Sequence, residues 1–225
     1  MKTASKVLAG AVLGLMGASS LSAYVLLSPR RHWASWPVTM YVARGHVSVA
    51  DTDNGITAVV RALNNTGTIG GSGWNVCSGV GSVISAVKST SAPWSLGDGR
   101  PTISLRSVIG GCGGSCLAAT YTGYYSCPSG FHGGDGHCRI NDSDVEGRTN
   151  TTTSGGGPYY STLEGGCTSG AEFSVESIWV HEAGHQLGLG HSSVSGATMY
   201  PSVSSCSHAL ATLASDDCNG LNVLY

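Results

Sequence analysis

The stretch HEAGHQLGLGHS at residues 181–192 places three of the chain's eight histidines and one glutamate within a short segment. Apolar residues recur at helical spacing before and into it, so this stretch is predicted to continue a helix with one apolar face. Residues four apart share a helix face, and His181 and His185 can therefore present two imidazoles to one metal ion. Gly188 stands where the chain must turn for His191 to supply a third ligand.

Glu182 is predicted to do chemistry and not to bind the metal. Zinc with three protein ligands keeps one position open for water and lowers the pKa of that water to roughly 7. A neighbouring carboxylate can accept the water's proton and later return it to the leaving group. HExxH alone occurs by chance in many proteins, but the five fixed positions of HExxHxxGxxH make chance far less common. The pattern favours a catalytic zinc site over a structural one, which usually has a closed, thiolate-rich shell.

Composition narrows the classes of protein to which the chain can belong. Its 225 residues are enough for one domain with its own core. Charged residues make up 11% and the net charge is -2, so the basic surface that nucleic acids require is absent. The 34 glycines indicate a loop-rich protein with a neutral polar surface. We expect a monomer whose partners are protein or peptide substrates, with no nucleic acid.

The N-terminus is typical of a secretory signal peptide at residues 1–23. Two lysines precede an uncharged stretch that ends in small residues, and cleavage is predicted after Ala23. The mature chain, 24–225, is then one extracellular or periplasmic domain. The uncharged run continues as far as Arg30, about long enough to span a bilayer, so a retained membrane anchor is the alternative.

The eight cysteines predict disulfides, because their number is even and the chain is predicted to leave the cytosol. Four bridges are the simplest interpretation, and Cys206 with Cys218 is the one pair that we predict, since both closely follow the histidine motif. A zinc knuckle that begins at Cys112 and Cys116 is the alternative, although no second pair follows at matching spacing.

Periodicity predicts the remaining elements. Ile56, Val59, Val60 and Leu63 have the spacing of an amphipathic helix. Ser215 is the predicted N-cap of a C-terminal helix with two aspartates in its first turn. We interpret residues 150–158 as a loop. Strands are predicted within 37–43, 81–87, 101–110, 116–125 and 137–145.

The histidine motif resembles the HExxHxxGxxH signature of the metzincin zinc peptidases, and Met199 in ATMYP resembles their Met-turn. Ser192 after the third histidine and MYP at the turn are similar to the matrixins, the matrix metalloproteinase family and its bacterial relatives. The C-terminal TLASDDCNGLNVLY also resembles the matrixin C-terminal helix. The resemblance spans about 36–225, and its specific motifs begin at Ser174. It implies an α+β fold with a mixed twisted sheet, an active-site helix and a C-terminal helix.

The resemblance also implies roles for individual residues. It makes His181, His185 and His191 the zinc ligands, Glu182 the general base and then acid, and Met199 a structural floor beneath the metal. It places Tyr200 and Pro201 in the wall of the substrate pocket. The segment GGDGHCRIND is similar to a family segment that binds structural metals, which makes Asp135 and His137 candidates for a calcium or second zinc site. His32, His46 and His208 are interpreted as surface or loop residues.

The predicted function is a secreted zinc endopeptidase that binds an extended peptide along an edge strand and hydrolyses it through zinc-bound water. The alternative is a catalytically silent secreted module that keeps the zinc and the fold for binding or adhesion. Glu182 argues against the alternative, because a structural site gains nothing from that carboxylate. The PRCGxPD motif with which the propeptides of vertebrate matrixins block the zinc does not occur in the chain.

Overall fold

The structure is a computed structural model, and it describes most of the chain except the N-terminus and several internal segments. The predicted signal segment at 1–23, His46, Asp135, Cys206 and the predicted loop at 150–158 lie outside the described residues. No helix of the described residues has the length and apolar character that crossing a membrane requires. The described residues are 24–43, 52–64, 73–77, 79–89, 95, 97–106, 116–124, 137–148, 159–161, 172–205 and 207–225.

A six-stranded mixed sheet forms one layer of the domain. Its order is β1-β6-β4-β2-β3 with all neighbours parallel, and β5 pairs antiparallel with β6. The strands of this sheet are β1 (Arg31–His32), β2 (Val38–Ala43), β3 (Ile84–Ser89), β4 (Thr102–Arg106), β5 (Ala118–Tyr124) and β6 (Cys138–Arg148). The short parallel pair β7 (Tyr159–Ser161) and β8 (Glu172–Ser174) and the helices α1 (Thr52–Leu63), α2 (Val175–Gln186) and α3 (Ser215–Leu224) complete the regular elements.

The apolar residues that alternate along β2 and those at helical spacing in α1 form part of the core, as predicted. Met40 and Val42 of β2 are almost fully buried, as are Val59 and Leu63 of α1. Asn64, just after α1, exchanges two hydrogen bonds with the backbone of Ala86 in β3, at 2.7 and 2.8 Å. The end of α1 is therefore fixed to the sheet by a side chain as well as by packing.

The helix that carries the histidine motif is anchored at its start and along its buried face. Ser174 is the N-cap of α2, and its hydroxyl accepts the Ser177 N–H at 3.2 Å. Trp179 is 1% exposed, and the indole N–H of Trp74 donates to the Val180 carbonyl at 2.7 Å. The face of α2 that carries His181 and His185 is therefore held in place by packing and by hydrogen bonds.

The C-terminal helix begins as predicted but with a different cap. Ala214, not Ser215, is the N-cap residue of α3. Asp217 replaces the missing capping side chain, because its carboxylate accepts the Ala214 N–H at 2.8 Å. The same carboxylate accepts the N–H groups of Thr198 at 2.8 Å and Met199 at 3.0 Å, so α3 also holds the turn around Met199 in place.

The predicted Cys206–Cys218 bridge is wrong. Cys218 is bonded to Cys77, which lies 141 residues away in sequence and 5.3 Å away between Cα atoms. The fold brings α3 beside the turn that ends at Cys77, and proximity in the fold decides the partner. Cys116 is also disulfide-bonded, which rules out the zinc knuckle alternative. No cysteine among the described residues is free.

We predict that the double substitution Cys77→Ala/Cys218→Ala lowers the free energy of unfolding by about 2–5 kcal/mol, because the bridge closes a very long loop in the unfolded chain. Urea unfolding of the non-reduced protein measures this. The double variant leaves no unpaired thiol at this bridge. An unchanged midpoint and slope would show that this bridge does not stabilise the fold.

His32 is buried, which corrects the prediction of a surface residue. β1 pairs with β6 and places the His32 ring edge-on to His137 at 5.3 Å and to Tyr225 at 5.4 Å between centroids. His208 is half-buried, and its Nδ1 lies 2.9 Å from the hydroxyl of Ser174. Both rings contact residues that are distant in sequence, and the residues next to them in the chain do not indicate these contacts.

Candidate metal centre and substrate cleft

α2 and the turn after it bring the three histidines of the motif together. His181 and His185 lie one turn apart on α2, which ends at Gln186. Gly188 has φ +104°, in the left-handed region that favours glycine, and reverses the chain so that His191 folds back. A Cβ on Gly188 would collide with the carbonyl oxygen of Arg31, so glycine is required for two reasons.

The three imidazoles converge on one point. One ligand nitrogen from each of His181, His185 and His191 lies within 4.8 Å of the others. The Nε2 atoms of His185 and His191 are 3.2 Å apart. Two nitrogens that bind one zinc ion tetrahedrally lie about 3.3 Å apart, given Zn–N distances of about 2.0–2.1 Å. The donor set and its spacing therefore fit a zinc ion.

Backbone carbonyls fix the orientation of two rings. His181 Nδ1 donates to the Thr198 carbonyl at 2.7 Å, and His185 Nδ1 donates to the Leu189 carbonyl at 2.8 Å. A carbonyl oxygen can only accept, so the proton of each neutral ring lies on Nδ1 and the Nε2 lone pair faces the centre.

Burial keeps the triad neutral and ready to bind a cation. It lowers the pKa of His181 to about 3, with a further contribution from the neighbouring charge of His185. It also lowers the pKa of His185 and of His191. A neutral imidazole can bind a metal ion without first losing a proton.

Glu182 lies beside the triad as a buried carboxylate. It is 7% exposed, and its Oε2 accepts a hydrogen bond from the Thr120 hydroxyl at 2.5 Å. Burial raises the pKa of Glu182 to about 7, and the bond from Thr120 opposes this rise. A cation at the triad would lower the pKa again. Thr120 is not recognisable from the sequence, because nothing in the residues around it shows which side chain of β5 faces α2.

Met199 packs against α2 directly beside the triad. It is 2% exposed, and a Cβ on Gly184 would overlap its sulfur and the Trp74 ring. Its carbonyl accepts the Ser192 N–H at 2.7 Å, just after the third histidine. The turn around Met199 therefore supports both the helix and the returning segment.

A cleft of about 780 Å³ runs between β5 and α2, and the triad and Glu182 line it. Tyr200 and Pro201 line the same cleft, and their role in the wall of a substrate pocket stays a prediction. Its further lining is apolar toward the start of α2, where Leu117, Phe173, Ile178, Val203 and Leu210 meet. β5 pairs with β6 alone among the described strands, so its other edge is open toward the cleft.

The second metal site stays a prediction. His137 is buried against His32, and its proposed partner Asp135 lies outside the described residues. Within the described ranges, the triad is the only cluster of three or more histidine, cysteine or carboxylate side chains that could hold an ion.

The fold and the site together define a class of protein. An α+β domain carries HExxHxxGxxH on a helix and on the turn after it, with a buried methionine turn beneath, which is the arrangement of a metzincin. A sequence profile of the matrixin (peptidase M10) family matches residues 93–225, more than half of the chain. The chain belongs to the matrixin family. Matrixins are zinc-dependent, and the histidine triad fits their metal.

Individual relatives match over shorter stretches. Metalloendoproteinase 1 of Glycine max is 51% identical over 53 residues, which are 24% of this chain and 17% of that protein. Neutrophil collagenase of Homo sapiens is 34% identical over 71 residues, or 32% and 15% of the two chains. Matrilysin of Rattus norvegicus is 42% identical over 60 residues, or 26% and 22%. The chain thus spans less than a quarter of the length of each of these relatives.

Proposed function

We propose that this matrixin is a secreted zinc endopeptidase that hydrolyses internal peptide bonds. The observation that carries the proposal is Glu182, a buried carboxylate held by Thr120 beside three neutral imidazoles in an open cleft. Membership of the matrixin family supports the same activity. The alternative of a silent binding module gives no reason for a carboxylate in this position.

The residues of the site have different roles in the proposed reaction. His181, His185 and His191 would hold the zinc ion, which supplies Lewis-acid chemistry by polarising a carbonyl and lowering the pKa of water. Thr120 occupies Oε2 of Glu182, which leaves Oε1 to take the proton of the attacking water. The same oxygen then returns the proton to the leaving amine.

The cleft fits an extended peptide. A strand of substrate can pair with the open edge of β5, and a large apolar side chain can enter the end of the cleft near Ile178 and Leu210. Tyr200 and Pro201 would form the wall of the cleft at that end. Protein or peptide substrates are therefore the class that we propose.

Secretion is the second part of the proposal. The basic, then uncharged N-terminus and the disulfide between Cys77 and Cys218 support an extracellular or periplasmic location. The mature chain would be the single, monomeric domain at 24–225. The intact mass of the exported protein tests this, because cleavage after Ala23 removes the signal segment and a membrane-anchored form retains it.

Incubation of the purified protein with a mixed library of quenched peptides tests the peptidase directly. We expect cleavage that a zinc chelator stops and that added zinc restores, with internal bonds identified by mass spectrometry of the products. No cleavage by folded protein with bound zinc would favour the binding module. Cleavage that the chelator leaves unchanged would remove zinc from the activity.

Thr120→Val is predicted to lower kcat by about tenfold with little change in KM, because one oriented hydrogen bond to the general base is lost. Thr120→Ser keeps the hydroxyl and should restore most of kcat. Steady-state kinetics on one peptide measure both. If valine and serine behave alike, the hydroxyl does not position Glu182.

A further inference from the structure

The end of the cleft opposite the apolar pocket carries a cation. Arg31 is the single lysine or arginine among the described residues that line the cleft. Leu27, four residues before Arg31, donates its N–H to the Gly188 carbonyl at 3.0 Å, just beyond the end of α2. Ile178, in the apolar pocket, lies seven residues before His185 on the same helix, about 10 Å along its axis. Arg31 and the apolar pocket are therefore on opposite sides of the metal-binding triad.

The backbone of Arg31 is fixed from two directions. It pairs with Cys138 in the parallel ladder between β1 and β6. Its carbonyl oxygen packs against Gly188 so closely that no side chain fits there. The position of this residue is therefore tied to the turn that places the third histidine.

The side chain is oriented as firmly as the backbone. The Arg31 guanidinium stacks 4.5 Å from the centroid of the Tyr124 ring. Its Nη1 donates to the Thr122 carbonyl at 3.1 Å, and its Nη2 donates to the Ser28 carbonyl at 3.3 Å. These contacts use two of its five N–H groups and hold it at the open edge of β5.

The guanidinium has unused capacity for an anion. Its Nε–H is buried and donates to no acceptor among the described residues. No carboxylate among those residues forms an ion pair with it, and burial lowers the pKa of Arg31. A partly buried cation without a counter-ion is unfavourable, and a carboxylate that arrives with the substrate would relieve this cost.

We propose that Arg31 forms a subsite for an acidic side chain of the peptide substrate, on the side of the scissile bond opposite the residue in the apolar pocket. This proposal rests on the proposed endopeptidase function. Thr122 lies two residues beyond Thr120 along β5, about 7 Å away. The acidic residue should therefore stand about two residues from the scissile bond. The protein then selects peptides that combine an apolar and an acidic side chain on opposite sides of the cut.

A purely structural role makes a different prediction. Arg31 could serve only to attach the segment at 24–33 to β5 through the Thr122 carbonyl and the Tyr124 ring. Its loss would then change the stability of the protein and the cleavage of all peptides alike. A subsite changes the ratio between acidic and neutral peptides, which is the quantity to measure.

The experiment compares pairs of quenched peptides that differ only in Glu or Gln at one position, scanned over four positions on each side of the cleaved bond. We expect the wild-type protein to favour Glu by about tenfold in kcat/KM at one position on the side opposite the apolar pocket, as a charge-assisted hydrogen bond provides. Arg31→Gln should reduce this ratio to about one. The neighbouring Arg30→Gln, an exposed residue with the same change of charge, should retain it.

Equal rates for Glu and Gln at every position in the wild-type protein would overturn the proposal, as would a preference that survives in Arg31→Gln. If that variant does not fold, the salt dependence of the wild-type preference replaces it. The preference should fall as ionic strength rises, and a preference independent of salt would contradict an ion pair.

The two proposals fail separately. If neither the Glu nor the Gln peptides are cleaved, the endopeptidase function is wrong, and the labelled pairs are compared by fluorescence anisotropy for binding. Tighter binding of Glu peptides that is lost in Arg31→Gln still supports the subsite. Equal affinities for Glu and Gln peptides overturn it.

Discussion

Replacement of Glu182 by glutamine is expected to lower kcat/KM for peptide hydrolysis by about a hundredfold or more, the usual contribution of a general base. Glutamine fills the same volume and can still accept a hydrogen bond from Thr120, but it cannot take a proton. The triad is untouched, so the variant should bind zinc as the wild-type protein does. Kinetics on one peptide and the metal content of the same sample measure the two effects.

Glu176→Gln is the matched control for this variant. Glu176 lies in the first turn of α2 and does not line the cleft, so the same substitution there should leave hydrolysis close to the wild-type rate. Retained activity in Glu182→Gln would remove this residue from the mechanism. Loss of zinc together with activity would make Glu182 a part of the metal site instead of a base.

Replacement of His191 by alanine is expected to weaken zinc binding by about a hundredfold or more and to lower hydrolysis in parallel at limiting zinc. Only two nitrogen ligands remain, and a catalytic zinc site requires three. His191 is also the most exposed of the three rings, so its removal disturbs the core least. Competition with a fluorescent zinc chelator measures the affinity.

His208→Ala serves as the control, because His208 contacts the N-cap Ser174 at the far end of α2 from His185. It should bind zinc with wild-type affinity. Undiminished zinc affinity in His191→Ala would show that the third ligand lies elsewhere in the chain.

The parts of the fold that sequence predicted are those that local periodicity determines. The alternation of apolar and polar residues predicted β2, and apolar residues at helical spacing predicted α1 and the start of α2. The turn predicted at Gly188 agrees with the φ of +104° of that residue. The positions of His181 and His185 on one face follow from the geometry of a helix alone.

The features that the sequence did not predict correctly are contacts between segments far apart in the chain. The partner of Cys218 depends on how α3 packs, and Thr120 meets Glu182 only because β5 lies across α2. His32 is buried by a two-residue strand too short to leave a periodic signal. Arg31 belongs to the cleft only because its segment crosses the end of α2.

The catalytic roles of the histidine triad and Glu182 are tested most directly by peptide hydrolysis during titration of metal-free protein with zinc, in wild type and Glu182→Gln side by side. Wild-type activity should rise to a plateau at one zinc per chain, while the variant binds the same zinc and stays near background. A variant whose activity rises with the wild type, or a plateau that requires no zinc, would contradict the assignment of the histidine triad and Glu182 as the catalytic centre.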